Sequence, residues 1–482
     1  MAAAVAAVGP AARGLSQVTS PASIPPPASR PARGPGTRKD VPPRMSFVDN
    51  GRVKVGMDLA LGGAITHLSA VAADGRAAGA IWNAAPPNLV NSWDLGRQVQ
   101  MSYYSGPVPY EVPDHTGPPA FWRGIGWNPI QVGDDFGNPA RVLDHRNDGR
   151  ELYVKTVPMQ WPLDDVPGEC AFECWARPDG PAVRVRCRLT MNRADRTQWS
   201  ARTQELPAVY TNGPWHRLFT YAGDEPFAGK PLRRVEHAFT AAEPWAHWQA
   251  TERWAALVDD NDRGLGVWNP GCVRWSGGFA GVPGKGGPKD APTGYLAPNR
   301  DEVLDHDLVH EYAYALVLGT VTEIRQWVYA QPRPPAVPAW TFEKDRQGWH
   351  YRNATDAGWP IKGELDVDLS GRDAKGIANP QLVGPADAWA AADGPVLTVE
   401  AAYAGNVDRV AVYWATAADA GFSPERVVVA PVVGDGVMRA YRVEIGKSPA
   451  YRGLITQVRI DPQPCGRAGD RVRLRAVRLG KG

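Results

Sequence analysis

Residues 169–191 read ECAFECWARPDGPAVRVRCRLTM, from Glu169 to Met191. Two runs of alternating character, 169–177 and 183–191, flank Pro178-Asp179-Gly180-Pro181, whose residue types supply turn chemistry. Side chains on a strand alternate between faces with period 2. Cys170, Phe172 and Cys174 therefore share one face of the first run, and Val183, Val185, Cys187 and Leu189 share one face of the second. These are the core-facing sets of a predicted hairpin. The other face carries Glu169, Glu173 and Trp175 from one strand and Arg184, Arg186 and Arg188 from its partner. A turn centred on Asp179-Gly180 sets Glu173 opposite Arg186. That face either lines a cleft that contacts a polar ligand or carries solvated ion pairs. Glu169 and Glu173 lie roughly 13 Å apart along the strand, too far for a retaining glycosidase pair, which needs roughly 5 Å.

The same pattern extends outward. VKVGMDL, GAITHLSAV and ELYVKTVPM are short apolar runs separated by Gly, Pro, Asn and Asp, the signature of an all-β chain. Only TVTEIRQWVYA, at 320–330, reads as a short helix. Residues 46–330 are expected to form one large two-sheet β-sandwich. A proline-rich linker follows at 331–339, and residues 340–482 are expected to form a β jelly roll. Residues 1–44 are rich in Ala, Pro, Arg and Ser and read as a disordered leader, with Met45 as a more natural start. The leader makes a poor signal peptide, so the compartment is left open, with the cytoplasm as default and export if the start is mis-called.

Composition narrows the function classes. Lys plus Arg number 53 and Asp plus Glu 51, a balance that argues against a nucleic-acid partner and gives no reason to expect a membrane surface. No run of 18 apolar residues suggests a membrane span. Nineteen tryptophans raise the expectation of a glycan ligand, because sugars stack their C–H faces on indole rings; most of the tryptophans are nonetheless expected in cores. The five cysteines match no zinc spacing and read as buried thiols. Neither metal nor cofactor is expected, although Asp134, Asp135 and Asp144 could offer oxygen ligands to calcium.

The segment from Asn91 to Tyr104 is dense in hydrogen-bonding side chains suited to sugar hydroxyls: Asn91, Trp93, Asp94, Arg97, Gln100 and Tyr104. Trp127, Gln131, Asp135, His145 and Trp161 follow, and each also has a plain reading as turn or cap chemistry. Glu205 stands out among the acids. It precedes the apolar, strand-like LPAVY, so partial burial would raise its pKa and suit it to general-acid work. The expected cleft gathers Glu205, Glu173, Asp94 and Asp135 as acids, with Arg186 and the residues above as sugar contacts. In the second unit, Trp349, Trp359 and Trp414 are candidate stacking residues.

The stretches GGAITHLS, NLVNSWDLGRQVQMSYYSGP and WNPIQVGD are similar to the opening of galactose-mutarotase-like β-supersandwich proteins. Residues 340–480, with FEKDRQGWHYRNA and YRGLITQVRIDP, resemble the jelly-roll modules of polysaccharide-degrading enzymes. The resemblance implies a carbohydrate-active protein with a poly- or oligosaccharide partner, but it transfers no catalytic motif residue by residue. The favoured reading is a glycoside hydrolase in which Glu205 is the acid and Asp94, Asp135 or Glu173 the second carboxylate. A polysaccharide lyase using Tyr104 or His145 on a uronic acid, and a non-catalytic glycan-binding protein, are the alternatives. The oligomeric state is left open.

Overall fold

The computed structural model describes residues 42–71, 88–240, 243–305 and 307–481. The expected leader, up to residue 41, and His306 lie outside the described residues. The described chain is all-β, with four antiparallel sheets in two sandwiches.

The N-terminal sandwich packs two large sheets face to face. One runs, strand by neighbouring strand, Met45–Asp49, Val53–Asp58, Ala64–Ala70, Val99–Ser102, Arg202–Thr211, Thr293–Glu302, Arg274–Ala280 and Ala246–Gln249, with the short strands Pro129–Ile130 and Met159–Gln160 attached beside Val99–Ser102. The other runs Arg233–Val235, Arg217–Thr220, Trp254–Val258, Arg263–Trp268, Val309–Thr320, Ala182–Met191, Cys170–Asp179, Leu152–Val157 and Arg141–Asn147. Between them lies one core, in which Val55, Met101 and Leu296 of the first sheet meet Cys174, Val185 and Leu316 of the second.

The hairpin forms as its pattern predicts, and Cys170, Phe172, Cys174, Val183, Val185, Cys187 and Leu189 all enter that core. Its register corrects the expected pairing. Asp179 pairs with Ala182, so the turn is Gly180-Pro181. Gly180 takes φ 58°, the left-handed angle demanded at the first position of such a two-residue turn. Moving the turn centre by one residue moves every partner by two. Glu173 therefore faces Arg188, and Arg186 faces Trp175, while the division into inner and outer faces is preserved.

The predicted helix is Val321–Tyr329, opened by a capping box between Thr320 and Glu323. Val321, Ile324 and Val328 recur at helical spacing and are buried. Ile324 lies so close to Gly266 that a Cβ there would come within 2.4 Å of it.

The C-terminal sandwich packs a sheet containing Leu365–Asp368, Val396–Ala404 and Arg471–Gly480 against one containing Gln381–Val383, Arg409–Thr416 and Leu454–Gln463. Leu365, Val399 and Leu474 meet Leu382, Val412 and Ile460 in its core. Trp349 and Trp414 are wholly buried in that core, and the guanidinium of Arg346 covers Trp359, 4.4 Å from the ring centroid. Trp349 and Trp414 present no free face for stacking, because they fill space within the core; Trp359 is half-buried.

Candidate functional site

The outward face of the ten-stranded sheet gathers polar side chains in transverse rows. A register shift between Glu205 and Val209 lets Leu206 and Val209 both enter the core while Glu205, Ala208 and Tyr210 face outward. Glu205 pairs with Ser102 on one side and Asn299 on the other, and Asn299 pairs with Arg274, which pairs with Gln249. One row therefore reads Ser102, Glu205, Asn299, Arg274, Gln249. Thr203 and Asp301 pair in the row beyond it. Ser276 and His247 pair in the row on the other side, where His247 stands at the exposed rim. Tyr210, Tyr295, Gly278 and Trp245 follow.

Glu205 is almost fully buried, with 4% of its surface exposed. Burial pushes its carboxyl pKa up to about 8, against the opposing pull of a hydrogen bond from Tyr295. The Tyr295 hydroxyl donates to Oε1 at 2.5 Å. Tyr295 packs at a tilt against Tyr210 and Trp245 at centroid separations of 5.0 and 4.7 Å, an apolar bed that keeps water from the carboxyl. At neutral pH Glu205 is thus a protonated acid.

Asp301 has the opposite environment. Its Oδ2 lies 2.6 Å from Arg274 Nη1, and Thr203 Oγ1 donates to its Oδ1 at 2.7 Å. The cationic Arg274, then His350 and these hydrogen bonds, outweigh its burial and hold its pKa at about 2. It lies two residues from Asn299 on the same face, diagonal to Glu205, and such diagonal neighbours lie about 7–8 Å apart. Next along the face, Asn299 Nδ2 donates to Ser276 Oγ, which His247 Nδ1 meets at 2.8 Å. Packed surroundings, then His237, lower the His247 pKa.

At the other end of the row, Ser102 Oγ donates to the Tyr104 hydroxyl and receives from Asn128 Nδ2. Burial raises the Tyr104 pKa, and nearby Glu205 adds to the rise. Near this end, Asn128 Oδ1, Gln160 Nε2 and Arg202 Nη1 are buried without hydrogen-bond partners. Arg202 lies over the Tyr104 ring, 5.9 Å from its centroid. An acceptor, an amide donor and a guanidinium donor are what a hydroxyl-rich ligand needs.

Of the predicted residues, Glu205 and Tyr104 lie on this face. Gln100 faces it too, but its amide is consumed by Leu95 O, Arg97 O and Val132 N. Gln131 is spent on Met101 N and Gly62 O. Asn91 and Arg97 clamp the loop that leads to Pro292 through Asp290 O, Pro292 O and Ala291 O, while Arg97 covers Trp93 and Asp94 accepts from Gly96 N. Trp127 and Trp161 are buried in apolar clusters, and Asp135 accepts from the Trp122 indole. These residues are polar because loops without regular pairing need side chains to satisfy their backbone.

Three others sit elsewhere. Glu173 and Arg186 occupy the outer face of the nine-stranded sheet, across the core from Glu205, where Tyr153 donates to Glu173 and Arg186 covers Trp175. His145 is on the edge strand Arg141–Asn147, hydrogen-bonded with Ser46 Oγ at 3.0 Å. Asp134 turns its carboxylate inward to Phe136 N, Asn138 and Asp165 N, and no cluster of metal-ligating side chains occurs among the described residues. No helix of the described residues is long and apolar enough to cross a membrane.

Sequence reasoning missed Asp301, Asn299, Ser276, Tyr295 and Arg274. The available signal was alternation in TGYLAPNRDE, whose odd-numbered positions from Tyr295 to Asp301 all face outward.

The site is therefore a sheet-face constellation of one neutral and one ionised carboxyl among tyrosines and amides. No protein-family model matches the chain, and no curated protein matches it in sequence. Among solved structures, a galactose mutarotase-like protein from Lactobacillus casei is similar at 11% identity and TM-score 0.36, over 57% of this chain and 100% of that one. A 4-alpha-glucanotransferase from Thermococcus litoralis is similar at 9% identity and TM-score 0.29, over 58% and 40%. The K1 cleaved adhesin domain of Lys-gingipain from Porphyromonas gingivalis is similar at 17% identity and TM-score 0.18, over 31% and 94%. Scores this low leave the chemistry of the sheet face to be argued from its own residues.

Proposed function

We propose that this protein is a glycoside hydrolase whose site is the outward face of the ten-stranded sheet. One observation carries the reading: two carboxyls on adjacent strands of one face are driven to opposite protonation states, Glu205 up to about 8 and Asp301 down to about 2. Splitting two acids in this way assigns their roles. Glu205 gives its proton to the leaving glycosidic oxygen, and Asp301 takes a proton from the attacking water. The two residues are diagonal neighbours on the one face, with backbones about 7–8 Å apart, and the stereochemical course is left to the product. Asp301 replaces Asp94, Asp135 and Glu173 as the second carboxylate. Tyr295 orients the acid, and Asn299, Ser276 and Asn128 supply hydroxyl contacts.

The lyase alternative has less support. Its base would be Tyr104, whose pKa burial raises, and His145 lies on another sheet edge.

The test is a screen of the full-length chain against neutral and uronic-acid glycans, reading reducing ends and the absorbance of unsaturated uronides together. Reducing ends without absorbance, lost in Glu205→Gln and Asp301→Asn, support the hydrolase. Absorbance supports the lyase, and binding without turnover supports a glycan-binding protein. Proton NMR of the first product then reads inversion or retention.

A further inference from the structure

The C-terminal sandwich does not hang from its linker. It is seated on the end of the polar row. Gln249 Nε2 donates to Thr416 O at 3.1 Å, and Arg274 Nη2 donates to Gln457 Oε1 at 2.6 Å. His350 Nε2 lies 4.0 Å from Asp301 Oδ2. Beside these contacts, the buried Arg253 of the first sandwich pairs with Asp387 of the second. Gln198 Oε1 accepts from Asp356 N at 2.7 Å. Trp359 packs against both cores.

Arg274 and Gln249 are the last two members of the row that begins at Ser102 and Glu205. Arg274 stands two strands from Glu205, about 10 Å away at the usual strand spacing. The second sandwich meets the sheet face there. A ligand lying along the row would meet Gln457 and Thr416 just past Asn299 and could not pass through.

We propose that the C-terminal sandwich is a wall of the site, closing the Arg274–Gln249 end so that the face takes glycan termini or short oligosaccharides rather than the interior of a polymer. The ligand half of this inference rests on the hydrolase reading; the wall does not. Through Gln457 and His350, the second sandwich also positions the Arg274–Asp301 pair. A linked jelly roll is here part of the site's geometry, not a tethered anchor.

The experiment has two readouts on the full-length chain. The first is hydrogen–deuterium exchange across residues 249–253 and 274–276. Sheet pairing protects these amides in any case, so the readout is the difference between wild type and Asp387→Ala with Gln457→Ala: loosening a seated wall speeds their exchange by on the order of 10-fold or more. Exchange that is the same in wild type and variant overturns the proposal whatever the activity. The second readout compares glucans, xylan and mannan with their own oligosaccharides and with end-blocked polymers. Chain-end action releases short products from the start, leaves viscosity unchanged and spares blocked polymers. An early fall in viscosity overturns the proposal. If every glycan is inert in the screen, the hydrolase reading falls with it, and exchange alone decides the wall: faster exchange in the variant than in wild type supports it and equal exchange overturns it.

Discussion

Glu205 and Asp301 face the same way from neighbouring strands, two pairs apart in register, and their surroundings hold them on opposite sides of neutrality. The difference has a simple origin. Glu205 is buried against Tyr295, and that burial is what raises its pKa. Asp301 is half-buried, beside Arg274 and His350. The burial that keeps one carboxyl protonated is outweighed at the other by a cation in contact.

Stability should carry the mark of Glu205. Its folded pKa of about 8 lies above its ordinary value of 4.5, so the folded state keeps a proton that the unfolded chain releases. Stability is fully present below about pH 4.5, falls as pH rises from there through 8 and levels off above it, by on the order of 5 kcal/mol for this group alone. Glu205→Gln keeps the shape and removes the titration. Thermal melts from pH 5 to 9 should show a decline in wild type that is much reduced in the variant.

Tyr295→Phe removes the one hydrogen bond that opposes burial at Glu205. The carboxyl pKa then rises further, and the alkaline limb of turnover moves to higher pH. A pH–rate profile that is unmoved, or moves down, contradicts this assignment of the bond.

Removing one partner of Arg253–Asp387 strands the other at the seam between the sandwiches. Arg253 is buried and Asp387 about a quarter exposed, so Asp387→Ala should cost about 2–4 kcal/mol, somewhat below the loss expected for a fully buried pair. Urea unfolding of the two single variants and the double variant measures the coupling; purely additive losses would mean that the pair contributes nothing.

Cys170, Cys174, Cys187 and Cys272 are buried and free, and Cys465 is half-buried. Burial raises the thiols of Cys170 and Cys272, a hydrogen bond with Cys187 followed by burial raises Cys174, and Cys465 is pushed up to about 11. Since the thiolate is the reactive form, the native protein should react slowly with a disulfide reagent, with Cys465 first, and all five should react on unfolding. Rapid native labelling of Cys174 or Cys187 would contradict their placement in the core.

The hairpin shows what alternation alone can settle. Period 2 divided Cys170 to Leu189 correctly between faces, and that division survives an error of one residue in the turn centre. It could not choose between Arg186 and Arg188 as the partner of Glu173, because both lie on the same face. The site was harder to read for a related reason. Polar density around Asn91–Gln100 looked like ligand chemistry, yet most of those groups satisfy loop backbone. The residues that meet Glu205 come from strands nearly a hundred positions away, and only the sheet order places Tyr295, Asn299 and Asp301 beside it. Glu205 itself was legible because an acid beside a continuous apolar strand run must be buried or paired, and here it is both.

The most direct test of the account is the pH dependence of glycan hydrolysis by the full-length chain beside Glu205→Gln, on whichever glycan the screen identifies. The account predicts turnover that holds through neutrality, falls as pH rises past about 8 and is lost in the variant, because only the protonated carboxyl can give its proton to the leaving oxygen. Full activity in Glu205→Gln would contradict it.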